Sequence, residues 1–174
     1  MTKRVIRVGL SLREINKAIR EIEAYKQEFL NKVETCRKRI AEEIATQASL
    51  NFTSAIVDDV INGTPRKPDV KVSVSNRGDI SVIVADGEDA IWCEFGAGVY
   101  HNGAVGTSPN PFCQDGVFTI GSYGKGRGKQ QAWGYYDENG ELVITRGTPA
   151  SMPMYNAVQE VMRKSIQIAR EVFG

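Results

Sequence analysis

The sequence predicts an α+β fold, in which a long N-terminal helix (possibly divided in two) and a C-terminal helix pack on a small, mainly antiparallel sheet. Three observations predict it. Apolar residues recur at helical spacing near both ends of the chain. Valine-rich alternating stretches lie between them. A long span rich in Gly and Pro interrupts the second half and belongs to neither pattern. With 174 residues, 41% of them hydrophobic, the chain is long enough to build one core without metal or disulfide support. The reading is one domain over 1–174. It is helical over 11–62, with a β-hairpin and a following Glu-Phe-Gly segment over 70–98. An excursion over 99–131, a second hairpin over 132–146 and a C-terminal helix over 151–173 complete it.

Each element has a local reason. Ser11 followed three residues later by Glu14 has the spacing of a capping box. Ile15, Ile19, Ile22, Phe29, Val33, Cys36, Ile40, Ile44 and Ala48 then step mostly by three and four, which makes one helix face apolar. Lys26 interrupts that stripe, so the region is one very long helix or two helices meeting near residues 23–26. Such a length exceeds what a small domain covers, and part of it is expected against another subunit. Asn62, Gly63, Thr64 and Pro65 are expected to end the helix. Val70, Val72 and Val74 alternate, as do Ile80, Val82 and Val84. Placing both sets on one face requires Val74 opposite Ile80 and a three-residue loop of Asn76, Arg77 and Gly78. Trp133 to Tyr136 and Leu142 to Thr145 are expected to form a second hairpin about Asn139 and Gly140, its register left open by the pattern. Ser151 is expected to cap the last helix, with Pro153 in its first turn.

Composition bounds the chemistry. The formal net charge is +1, so no global field draws the chain to nucleic acid. The three cysteines, Cys36, Cys93 and Cys113, lack the paired spacing of a disulfide framework or zinc site. The expectation is free thiols and no metal or other cofactor. The first ten residues are basic without a signal peptide's apolar core, and no apolar run reaches membrane-spanning length. The chain is therefore expected in a cytoplasm, with no membrane partner.

Three signals point to specific chemistry, and each has a plainer explanation. The Gly-rich run over 121–129 suggests a phosphate loop, yet Gly128-Lys129 is followed by Gln130 and no helix follows. A basic surface loop explains it better. The one histidine, His101, paired with Cys93 or Cys113, would make a thiol nucleophile and its base. A small buried cysteine is the plainer reading. Arg37, Lys38 and Arg39 are candidates for sequence-blind contact with DNA phosphates, although Glu34, Glu42 and Glu43 at neighbouring turns suit a solvated helix face.

Ala90-Ile91-Trp92-Cys93-Glu94-Phe95-Gly96-Ala97-Gly98 resembles the minor tail-component family of siphophages, the gene-product-ten-like proteins. Members carry an apolar stretch ending in Glu-[Phe/Tyr]-Gly-x-Gly, a variable excursion and a Pro-led C-terminal helix. Gly124 to Gln130 and Trp133 to Tyr136 resemble the excursion of relatives from Firmicute phages and prophages. The return segment holds Pro149, and Met154, Tyr155, Asn156 and Ala157 follow it.

The resemblance implies an α+β structural protein of the virion, a head–tail joining or tail-completion subunit of the neck that is assembled in the bacterial cytoplasm. Its implied partners are further copies of itself in a ring (a hexamer is favoured), a head-closure or connector protein, and a tail-terminator or tail-tube protein. Double-stranded DNA would pass through without being read. The resemblance implies no catalytic residue. Glu94, Phe95, Gly96, Gly98, Pro149, Met154 and Tyr155 would serve fold and interface. Phe95 would anchor a core. Read from its apolar neighbours alone, Glu94 is either a buried acid with a raised pKa or, preferred because it needs no substrate pocket, a carboxylate that pairs with Lys or Arg across a subunit interface. Tyr123, Lys125, Arg127 and Lys129 would lie in an interface loop. The competing classes are a small enzyme or nucleotide-binding protein using the Gly-rich loop, and a nucleic-acid-binding module using the basic helix.

Overall fold

A computed structural model of the chain describes residues 5–7, 9–96, 100–101, 104–105, 109–114 and 132–174. It has the α+β architecture, with three two-stranded antiparallel ladders and two long helices. The first helix, α1, is continuous over Leu12–Ser54, so Lys26 does not divide it. Ser11 caps it as expected. The Glu14 N–H donates to Ser11 Oγ at 3.3 Å, and the Ser11 hydroxyl donates to the Glu14 carboxylate at 2.6 Å.

Helix α1 stops at Ser54, well before the expected Asn62 to Pro65 terminator. The reason is competition for backbone partners. Residues 57–62 run beside the second strand of the later hairpin, where Ile61 N donates to Ile144 O at 2.7 Å and Arg146 N donates to Asp59 O at 2.9 Å. Asn62 extends this ladder with its side chain, bonding Leu142 O and Ile144 N at 2.7 and 2.9 Å. Asp58 adopts a left-handed φ of 60°, a conformation that a local side-chain acceptor helps a short polar residue hold. Its carboxylate accepts from the Tyr135 and Thr145 hydroxyls. The Lys67 ammonium donates to Thr53 O and Ala55 O at 3.1 and 3.3 Å, which satisfies carbonyls at the negative end of the α1 dipole.

The valine hairpin is β1 (Lys71–Arg77) and β2 (Ile80–Asp86), but its register differs from the expectation. Val74 faces Ile83, and Arg77 faces Ile80. The turn is the two residues Gly78 and Asp79, with Gly78 at φ 57°. A two-residue hairpin turn with positive φ at its first position matches strand twist better than the three-residue loop. The loop is one residue shorter and the pairing shifts by three residues, an odd number that flips β2, so Ile83 and Ala85 join Val72 on the inner face and Ile80, Val82 and Val84 are exposed.

The remaining elements are α2 (Asp89–Phe95), β3 (Tyr100–His101), β4 (Ala104–Val105), α3 (Pro111–Gln114), β5 (Trp133–Tyr136), β6 (Leu142–Thr145) and α4 (Pro153–Phe173). The β5–β6 register sets Tyr136 against Leu142 around the Asn139–Gly140 turn. Helix α4 lies antiparallel on α1. Asn51 Nδ2 reaches Pro153 O at 3.0 Å at one end, and Phe29 meets Phe173 at 5.8 Å between ring centroids at the other.

Two buried clusters share Val72 and Met154 at their edges. One centres on Ile44, Ala48, Ala157 and Val161, the other on Phe52, Ala55, Val57 and Cys93. Small residues on the helix faces let α1 and α4 approach closely, and emptying either cluster by one large side chain would cost about 2–5 kcal/mol. Among the described residues no helix is long and apolar enough to cross a membrane.

Candidate functional site

The residues of the Glu-Phe-Gly motif and the start of α4 meet at one buried junction. The approach to it is fixed by Gly87, which has φ 140°; a Cβ there would lie 2.2 Å from Asp69 O. The chain then enters α2 at Asp89. This carboxylate is buried and takes a two-pronged bond from Arg66, both contacts at 2.8 Å, plus the Asp69 N–H at 3.0 Å. Fork-to-fork geometry of this kind fixes direction as well as distance. The Arg66 guanidinium holds the Asp89 carboxyl below the usual carboxylate range. With its first turn pinned, α2 aims Cys93 into the core, and burial pushes that thiol up to about 11. At neutral pH Cys93 is a protonated, inaccessible thiol, which fits the plain reading of it.

Glu94 is the next residue and it is buried. One carboxylate oxygen accepts from Met154 N at 2.8 Å. The other accepts from Tyr155 N at 3.0 Å and from Asn110 Nδ2 at 3.1 Å. The first helical N–H groups of α4 have no partner within the helix, and Pro153 carries none. A carboxylate placed there satisfies two of them and meets the positive end of the helix dipole. Burial nevertheless raises the Glu94 pKa. The bonds from Met154, Tyr155 and Asn110 pull it back only in part.

Asn110, wholly buried, ties in a third element. Its amide also donates to Glu94 O at 3.3 Å, and its oxygen accepts from Phe112 N at 3.0 Å. Phe112 then stacks edge-on against Tyr155 at 6.1 Å.

Three expectations change here, and one segment left unassigned gains a structure. Ser151 does not cap α4: its hydroxyl donates to Cys93 O, and left-handed Met152 stands at the cap position without a side-chain bond. Glu94 is buried, is occupied by three donors of its own chain and has its pKa raised by burial, which matches the buried-acid reading and not the preferred pairing with Lys or Arg of another subunit. Phe95 is only half-buried and belongs to neither core cluster, because the inward position of α2 is Cys93. The Glu-Phe-Gly stretch forms a helix, and Gly96 ends it with φ 83°. Pro149 lies half-buried in the return segment ahead of α4, outside the Glu94 contacts. Asn110 and Arg66 carry the junction and were missed. Nothing local in the sequence ties either one to a carboxylate many residues away.

The basic run does not form one patch. Consecutive helical residues diverge by about 100°, and each side chain finds its own partner. Arg37 Nη1 donates to Gly78 O at the hairpin tip (2.8 Å), Lys38 pairs with Glu34 at 2.6 Å, and Arg39 pairs with Glu171 at 2.7 Å. The carboxylate of Glu34 explains Lys38, as the helix-face reading expected, but Glu42 and Glu43 hold no ion pair with the run among the described residues.

Gly98, Tyr123, Lys125, Arg127 and Lys129, with the whole Gly-rich run, lie outside the described residues. His101 falls in the β3–β4 ladder and Cys113 in α3. Cys36 and Cys93 are free thiols, and the described residues hold no group of three or more metal-ligating side chains. Comparison with protein-family models, with characterised proteins and with solved structures finds no match.

Proposed function

We propose that this chain is a structural subunit of a tailed-phage or prophage virion, a head–tail joining or tail-completion protein that works as a ring in the neck. The observation that supports the reading is the use made of Glu94. Its resemblance to the minor tail-component motif rests on Glu94, Phe95 and Gly96 and on the Pro-led helix with Met154 and Tyr155. In the fold, Glu94 joins α2 to the start of α4 through the backbone of those two residues. Its acceptor oxygens are occupied by donors of the chain itself. A motif employed in this way is architectural, which suits a subunit that presents surfaces to neighbours rather than a substrate pocket. Head-closure or connector protein on one side and tail-terminator or tail-tube protein on the other are the partners this reading gives it, with DNA passing unread through the ring. The nucleic-acid-binding alternative is weakened by the separate partners of Arg37, Lys38 and Arg39, since side chains tied to three different places cannot track a phosphate backbone together.

Antibody raised against the chain tests the reading by electron microscopy of purified particles from the encoding phage or induced prophage. Label at the head–tail junction is the expected result. Particles that carry no label there, while the chain stays in the unassembled fraction, overturn it.

A further inference from the structure

The longest uncovered apolar surface lies along the first part of α1. Leu12, Ile15, Ile19, Ile22, Lys26, Phe29, Val33, Cys36 and Ile40 step by three and four without a break. This is the a and d pattern of a helix that pairs with another helix over several heptads. From Phe29 onward the stripe runs beside α4, whose last phenylalanine, Phe173, packs on Phe29, but it is covered only in part: Phe29 and Val33 remain 39% and 42% exposed and Cys36 is half-buried. Ahead of that point α4 has ended. Roughly 17 residues of α1 project past it, about 25 Å at the helical rise. There Leu12, Ile15, Ile19 and Ile22 are 79%, 40%, 48% and 55% exposed. These four stripe residues stay open, although Ala18 beside them is buried at 7% exposure. The opposite face is closed on itself by Lys17–Glu21, Glu28–Lys32 and Gln27–Asn31.

We propose that the α1 stripe pairs antiparallel with the α1 stripe of a second copy, centred between Glu23 and Lys26. The charges select the partner and its direction. Glu23 and Lys26 flank and interrupt the seam, and neither has an ion-pair partner among the described residues. A two-fold pair centred between them brings each Lys26 to the other copy's Glu23, which makes two reciprocal ion pairs. The lysine stem meanwhile lies on Ile22 of the other copy. A parallel, in-register pair would instead set Lys26 against Lys26, a like-charge contact that opposes association. In the antiparallel register Ile19 faces Phe29, Ile15 faces Val33, and Leu12 faces Cys36. Apolar residues thus meet apolar residues in every layer except the central pair, where Lys26 lies on Ile22. A two-fold contact is closed and does not propagate into a ring. The pair is therefore the form of the free subunit, and the inference stands apart from the neck reading.

Leu12→Cys tests direction, because Cys36 is native and free. Within one chain the two positions are about 36 Å apart along the helix and cannot be joined. Mild oxidation followed by peptide mapping should give a 12–36 link between copies. A 12–12 link, or no link, overturns the proposal.

Sedimentation equilibrium tests the charges. Glu23→Lys and Lys26→Glu alone should each weaken the dimer by about tenfold or more, while the two together should restore it. Ile19→Asp should give a folded monomer by circular dichroism. A monomeric wild type, charge variants without effect, or a larger ring in place of the dimer each overturn the proposal, and the last leaves the neck reading in place. A dimer from a chain that never labels particle necks removes the neck reading and leaves this inference standing.

Discussion

The two long helices begin in opposite ways. Helix α1 starts in solvent and caps itself, with Ser11 and Glu14 trading bonds across three residues. Helix α4 starts in the interior and is capped from elsewhere, by a carboxylate sixty residues back in the chain that reaches Met154 N and Tyr155 N. The first cap holds one helix end. The second fastens α2, α3 and α4 together through Glu94 and Asn110, so its loss is felt by the whole fold. Chemically similar bonds thus differ in weight by what stands behind them and by how much water can replace them.

Glu94→Ala breaks the comparison most severely. It leaves two half-buried backbone donors without an acceptor, takes one of two acceptors from the Asn110 amide, and empties the side-chain volume. A loss of about 3 kcal/mol is expected, at the upper end of what orphaned buried donors and a lost cap produce. Urea unfolding followed by tryptophan fluorescence measures it, and a loss no larger than that of an exposed cap would mean water replaces the carboxylate freely. Phe95→Ala should cost less, about 1–2 kcal/mol, because a half-buried ring gives up less than the ~3 kcal/mol or more of a fully buried one. The same titration compares the two variants directly.

Glu94→Gln sharpens the comparison through pH. Because burial raises the Glu94 pKa, the folded chain holds that proton more tightly than the unfolded one. The stability from this group is fully present below its unfolded carboxylate range and is lost as pH rises through the folded value. Asp89 has the opposite sign. Arg66 lowers its pKa, so its contribution is present above the unfolded range and is lost as pH falls through the folded value. Unfolding midpoints measured from about pH 4 to about pH 7 should therefore rise more steeply for Glu94→Gln than for wild type. Asp89→Asn should flatten the acid limb. Its baseline should also drop, because Arg66 loses its charged partner. Identical pH slopes for all three proteins would remove the assigned role of both carboxylates.

Much of the fold was legible because it is local. The Ser11–Glu14 spacing, the apolar stripes of α1 and α4 and the Asn139–Gly140 hairpin each depend on residues within a few turns of one another. What was not legible depends on partners brought from afar. The α1 terminator was misplaced because residues 57–62 prefer a ladder with β6 to another helical turn. The β2 face was inverted because Ile83 and Ala85 form a second, less conspicuous alternating set between Val82, Val84 and Asp86, and Gly78 serves a loop of either length. At the junction, Glu94 was visible as a motif residue, but its role was not. A capping serine at position 151 satisfied the local rule equally well, and no local pattern showed that the cap would come from α2.

The smallest expected effect closes the comparison. Ser11→Ala removes an exposed cap whose N–H contact is long, 3.3 Å, at an end of α1 that projects beyond α4. Water can take over the freed Glu14 N–H, so the expected cost is about 0.5–1 kcal/mol, at the low end for capping residues. Most of that should not appear in the global midpoint. In the monomeric Ile19→Asp background the first turns of α1 touch no described core cluster, and they open locally before the domain unfolds. The effect should therefore appear as faster amide exchange in the first turns of α1, with protection near Ile44 and Ala48 unchanged. If Ser11→Ala lowered the protection of Ile44 as well, the overhang and the core would be one cooperative unit. The contrast between a cap that holds one end and a cap that fastens the whole fold would then collapse.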